Sequence, residues 1–199
     1  MEDRFRDKYR IPSNRLRGWD YSRNGHYYIT IVTAGRNRLF GEIKEGEMVL
    51  NDMGQIVYDE FFKSFELRDE LFLGAFVLMP DHLHTIVILD KSKCECPGHV
   101  GMHGHVETHG RASLPTPSPN FQRQPKSISS FVAGFKSATI KRIDDWIDSN
   151  HVPMAKFNKN NPLWQSNYHD HIIRNEIEFK NISEYIVRNP IDWREEEDT

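Results

Sequence analysis

The feature that most constrains this chain is a pair of apolar, β-branched and aromatic runs separated by two residues. Phe72–Met79 and His82–Leu89 flank Pro80-Asp81, a dipeptide suited to a tight turn, so the pattern predicts a β-hairpin. The side-chain period of a strand is two. His82 and His84 therefore share one face, while Leu83 points into the packing on the other.

The remaining elements are read around this hairpin. His26–Ala34 is a strand by its β-branched and aromatic content. Residues 35–51 are rich in turn formers, with short extended pieces such as Met48-Val49-Leu50. From Asp52 to Phe65, Ile56, Val57, Phe61, Phe62 and Phe65 recur at three- and four-residue spacing, which predicts a helix. A second helical period runs over 127–148 through Ile128, Phe131, Phe135, Ile140 and Ile143. A short strand, Tyr168–Arg174, precedes a last helix from Glu176 to Arg188, with Asn175 as N-cap, Glu178 at the third position and Pro190 as its stop. The order β-α-β-β-α-β-α predicts an α+β, ferredoxin-like fold: an antiparallel four-stranded sheet with helices packed on it, plus a C-terminal helix.

Length and composition bound the rest. A chain of 199 residues is one domain's worth, and 38% apolar with 28% charged residues at a mean hydropathy of -0.66 describes a soluble globular protein. No apolar run reaches the roughly 18 residues of a membrane span, and Met1–Arg17 lacks the apolar centre of a signal peptide. Two cysteines one residue apart, Cys94 and Cys96, cannot staple a secreted scaffold, so a reducing cytoplasm is expected. Residues 1–25 read as an irregular basic arm. Residues 91–125, rich in proline, glycine and histidine without apolar period, read as an inserted mobile loop.

Two constellations carry chemistry. His82 and His84 are placed to bind a divalent metal together, or to stand as a surface pair on an exposed sheet face; a third ligand must come from elsewhere. His169-Asp170-His171 repeats the spacing with a charged centre, and for His171 a structural, hydrogen-bonding role is the expectation. On the last helix Ile182, Tyr185, Ile186 and Asn189 fall on one stripe. Tyr185 there reads as a partly buried core tyrosine with its hydroxyl at the edge, and against that stands Asn189, an amide on the same stripe that needs partners, such as a metal if the stripe faces the histidine strand.

These residues carry a resemblance. Phe76–Ile88 (FVLMPDHLHTIVI), Trp164-Gln165, His171–Asn175 and Glu184–Pro190 (EYIVRNP), in this order, resemble the single-tyrosine transposases of the HUH nuclease superfamily, in particular the REP-associated branch. The resemblance covers residues 26–90 and 127–191. It implies that His82, His84 and Asn189 hold Mg2+ or Mn2+. It also implies that Tyr185 attacks a DNA phosphate, leaving a 5′-phosphotyrosine and a free 3′-hydroxyl. A phenol with its usual pKa near 10 is a poor nucleophile at neutral pH, so a metal beside the phosphate supplies the activation. Two imidazoles suit Mn2+ at least as well as Mg2+.

Single-stranded or hairpin DNA is the expected partner. Lys136, Lys141 and Arg142 on the penultimate helix, with Arg15 and Arg17 in the arm, are the expected phosphate contacts. A homodimer exchanging the tyrosine helix and a monomer acting in cis both fit. Cys94, Cys96, His99, His103, His105 and His109 compose a weaker zinc motif in a segment read as disordered. From another class comes a non-catalytic binder: an RNA-recognition-like module stacking bases on Tyr27 and Tyr28, or a domesticated relative that binds hairpins without cutting them.

Overall fold

The computed structural model describes residues 18–94 and 125–193, together with Leu16 and the backbone of Arg4–Phe5 and Lys8–Tyr9; for Lys93 and Cys94 it describes the backbone only. In chain order the elements are β1 (Arg4–Phe5), β2 (Lys8–Tyr9), β3 (Gly25–Val32), β4 (Gly41–Lys44), β5 (Glu47–Leu50), α1 (Asp52–Glu66), β6 (Leu71–Leu78), β7 (His82–Leu89), α2 (Ile128–Ser149), β8 (His169–Ile173) and α3 (Glu176–Asp192). Four strands form the main sheet in the order β6-β7-β3-β8, every neighbouring pair antiparallel. This is the predicted ferredoxin-like arrangement, in which β7 inserts between the two strands joined across α1.

Alternation along the strands separates two layers. Tyr27, Ile29 and Ile31 of β3 and Leu83, Val87 and Leu89 of β7 are buried in one cluster with Val57 and Phe61 of α1 and Phe131, Phe135 and Ile143 of α2. The opposite face carries α3, whose Ile186 packs on Ile86 and Ile173, with Phe179 and Ile182 against the same small cluster. In β6 the register shifts between Leu73 and Phe76. A side chain on Gly74 would lie 3.0 Å from Ile86 and 3.2 Å from the Phe179 ring, so glycine lets α3 approach the sheet closely here.

Helix ends follow their caps. Asn51, Ser127 and Asn175 each accept a hydrogen bond from the backbone N–H three residues on, and Ser127 with Ser130 forms a reciprocal box.

The structure corrects three expectations. First, the arm expected to be irregular contains the short β1–β2 pair, whose two-residue connection is the length of a tight hairpin turn. Second, the turn-rich stretch before α1 holds a full hairpin, β4–β5, turned by Glu45 (φ 53) and Gly46 (φ 80). Both residues are left-handed, as a two-residue turn between twisted strands requires. Third, α3 runs through Pro190 to Asp192. Proline in the last turn costs the bond to one carbonyl without forbidding the residues after it. Of the segment expected as an inserted loop, Lys91–Cys94 forms a 3-10 turn, and residues 95–124 lie outside the described residues. Among the described residues no helix is long and apolar enough to cross a membrane.

Phe61 stacks on Phe76 at 4.1 Å between centroids and meets Phe131 and Phe135 edge-on. Phe61→Ala should destabilise the fold by about 3–5 kcal/mol, read as a lower urea midpoint at unchanged slope. Asn175→Ala should cost about 1 kcal/mol through its lost cap.

Candidate active site

The hairpin turn places two imidazoles on the α3 face of the sheet. His82 faces Val32 and His84 faces Thr30 across β3, and the rings lie 4.5 Å apart between centroids, nearly edge to face. Both side chains are buried. The nitrogens facing the protein are satisfied. His82 Nδ1–H donates to Asp81 Oδ1 at 2.5 Å, and Asp81 is itself buried. His84 Nδ1 lies 2.8 Å from both the Tyr28 and the Thr30 hydroxyls. Neither Nε2 has a hydrogen-bond partner among the described residues.

α3 brings the phenol to this pair. The Tyr185 ring is 5.5 Å from His84 and 6.5 Å from Tyr28, and 53% of the residue is exposed. A core role is thereby excluded. One cleft of about 350 Å³ is lined by Thr30, Val32, Arg36, His82, His84, Tyr185, Asn189, Asp192 and Trp193. The structure thus gathers Tyr185, His82, His84 and Asn189 on one wall system within a single chain. Asn189 lies one turn after the tyrosine and is half-buried rather than sealed in the core.

Burial, reinforced by the neighbouring His82, pulls the His84 pKa down to about 3, with Asp81 opposing. The ring stays neutral at physiological pH, as a metal-ligating imidazole must be. Burial pushes the Tyr28 phenol up to about 12; the Thr30 hydroxyl opposes this and the adjacent Tyr185 adds to it. Tyr28 therefore remains a neutral hydroxyl beside the site.

Among the described residues no three His, Cys, Asp or Glu side chains gather at one point. Cleft residues that could hold a cation are His82, His84 and Asn189, with the Asp192 carboxylate on the same lining. These donors are of the types a divalent ion takes: each Nδ1 is held by a hydrogen bond, that of His82 to a carboxylate, and neither Nε2 has a partner among the described residues.

The expected phosphate contacts fare differently. α2 packs on the other side of the sheet from α3. Lys136 Nζ donates to the carbonyls of Gln165 and Asn167 at 2.7 and 3.0 Å, holding the Trp164 loop. Arg142 donates to Glu60 at 2.9 Å and to Asp59 at 3.3 Å, tying α2 to α1. Lys141 is exposed on that remote layer. None of the three lines the cleft. Arg15 and Arg17 lie outside the described residues, as do Cys96, His99, His103, His105 and His109, and the Cys94 side chain.

Sequence reasoning missed Asp81, Thr30, Arg36 and Trp193. Asp81 carried a signal, a carboxylate directly before the first histidine, that was absorbed by the turn reading. His171, as expected, is engaged structurally: its Nε2 lies 2.6 Å from Glu178. The stacking platform of Tyr27 and Tyr28 is contradicted. Adjacent strand residues face opposite ways, and Tyr27 is wholly buried beneath α1 and α2.

A test of this electrostatic picture is acid titration. His84 is neutral when folded and takes a proton near pH 6.5 when unfolded. Between about pH 6.5 and 3 the unfolded chain binds the extra proton, so stability falls with pH at up to about 1.4 kcal/mol per unit from this group. The His84 ring nitrogens, followed by 15N NMR without metal, should show no protonation from pH 8 down to 5.

No protein-family model matches the chain. A protein of Haemophilus influenzae, itself uncharacterized, is 32% identical over 187 residues, spanning 93% of this chain and 91% of its own length. Among solved structures, a REP-associated tyrosine transposase bound to a REP hairpin superimposes with a TM-score of 0.51 at 18% identity, over 89% of this chain and 72% of that one.

Proposed function

We propose, for a chain that belongs to one family with the Haemophilus influenzae protein and has the fold of a REP-associated tyrosine transposase, that it is a metal-dependent enzyme that nicks and rejoins single-stranded DNA, with Tyr185 as nucleophile. The observation that carries this reading is the exposed Tyr185 ring 5.5 Å from His84, in one cleft with His82 and Asn189. The DNA is a single strand or a hairpin with a single-stranded flank, because exposed phosphates and bases reach such a site only where the duplex is opened. Transposition-type strand transfer in the cytoplasm is the setting that fits.

In the reaction the Tyr185 oxygen attacks phosphorus in line and the bond to the 3′-oxygen breaks. The phenol gives up its proton to solvent as it attacks, and the departing 3′-oxygen takes up one proton from solvent in exchange. The products are a 5′-phosphotyrosine ester and a free 3′-hydroxyl. A second 3′-hydroxyl then attacks the same phosphorus and releases the phenol, so the diester bond energy is conserved and joining needs no nucleotide triphosphate. A Mg2+ or Mn2+ ion held by His82, His84 and Asn189 would polarise the phosphate and neutralise its developing charge. Asp81, Tyr28 and Thr30 hold the two rings in orientation. Tyr28, neutral at working pH, offers a hydroxyl beside the nucleophile.

The experiment is incubation with hairpin-containing single-stranded DNA and Mn2+, read on a denaturing gel for a covalent protein–DNA species. Tyr185→Phe should abolish the adduct while DNA binding persists, and His82→Ala or chelator should reduce it by roughly 100-fold or more. Asp81→Asn should slow it by about 10–100-fold through loss of ring orientation. DNA binding without any adduct from the unaltered chain would leave the non-catalytic hairpin binder as the reading.

A further inference from the structure

Among the cleft residues that the proposed chemistry does not use are Arg36 and Trp193. We propose that they form a nucleotide subsite: the Arg36 guanidinium takes a backbone phosphate next to the reacting one, and the Trp193 indole stacks on the adjoining base. This rests on the single-strand reading of the site.

Arg36 is the one lysine or arginine among the described residues lining the cleft. Its side chain is 72% exposed, and its counter-charge is a single oxygen, Asp81 Oδ2, at 3.7 Å. The other Asp81 oxygen is already engaged by His82. The guanidinium is thus held near the cleft while most of its donors stay available for a bidentate phosphate contact.

The backbone supports the placement. Gly35 (φ 65) and Arg36 (φ 54) are consecutive left-handed residues, a conformation that a non-glycine side chain adopts only when its surroundings impose it. The surroundings are visible. Thr33 Oγ1 donates to the Asn37 carbonyl at 2.9 Å, the Ala34 N–H donates to Leu163 at 2.9 Å, and the Gln165 N–H donates to Val32 at 2.9 Å. The Trp164-Gln165 segment therefore anchors the turn that presents Arg36.

Trp193 ends α3 and is half-buried. Its ring centroid is 5.9 Å from that of His82, and the Arg38 guanidinium lies 5.9 Å from it on the indole. An indole braced by a neighbouring cation, in a cleft with an exposed phenol, is a surface for a flat nucleobase, and stacking of this kind tolerates any base.

The test measures binding apart from chemistry. The full chain and its variants are titrated against a fluorescein-labelled hairpin with a single-stranded flank, by anisotropy over a range of salt concentrations, and adduct yield is scored on the same DNA. Arg36→Ala should weaken binding roughly tenfold and make the salt slope shallower by about 0.7, the share of one single-strand phosphate. Arg36→Lys should keep the slope. Trp193→Ala should weaken binding by about five- to a hundredfold at unchanged slope, and Trp193→Phe should recover most of it, which separates stacking from damage to α3.

Wild-type affinity and slope in Arg36→Ala, or wild-type affinity in Trp193→Ala, would overturn the subsite even where the adduct forms. DNA binding with the expected variant losses but no wild-type adduct would overturn the nuclease reading and leave the subsite standing. A wild-type chain that binds no single-stranded DNA would overturn both.

Discussion

Everything at this site depends on the two-sidedness of one strand. In β7 the residues Leu83, Val87 and Leu89 anchor the face under α1 and α2, and this obliges His82, His84, Ile86 and Ile88 to face the other way. A slip of one residue would move both imidazoles into the apolar layer. Pairing on both edges prevents it: His84 is opposite Thr30 on β3 and opposite Val77 on β6. The geometry of two nitrogens in a cleft is a by-product of a register that the core specifies.

Holding imidazoles there has an energetic cost, and the way the cost is met also shapes the chemistry. A buried polar group without a partner loses about 1–3 kcal/mol of solvation. Asp81, Tyr28 and Thr30 supply partners to the Nδ1 atoms, so that penalty is offset without consuming the nitrogens that face the cleft. The same bonds fix ring orientation, and burial keeps His84 neutral. A rigid, outward-facing donor pair, with His84 neutral, follows from satisfying ordinary burial rules, before any ligand is considered.

The sequence legibly encoded the parts governed by period. The β6–β7 hairpin, the two long helices of the core and the cap at Asn175 all rest on local patterns, and the face of His82 and His84 follows from a period of two. The β4–β5 hairpin was illegible because Glu45 occupies a left-handed turn position usually marked by asparagine or aspartate. The placement of basic residues was illegible for a different reason. Charge along a helix says which side faces away from its own core, but not which layer of the protein that helix joins. Arg142 and Lys136 were absorbed by contacts across 82 and 29 residues of sequence, respectively, while Arg36 reached the cleft through a turn whose conformation no periodic pattern signals.

The two layers are also unequal, and this bears on how a strand of nucleic acid could enter. The α1–α2 side is a broad aromatic and aliphatic core, whereas α3 rests on the sheet through a cluster whose fully packed members are Ile86, Ile173 and Ile186. Stability is therefore concentrated on the side away from the cleft, and the tyrosine helix sits on the side with less to hold it. The narrow contact at Ile186 leaves the preceding tyrosine more than half exposed while the sheet below keeps the histidines in place. A rigid histidine pair under an accessible phenol is the arrangement that the proposed in-line attack would use, and this asymmetry in packing produces both.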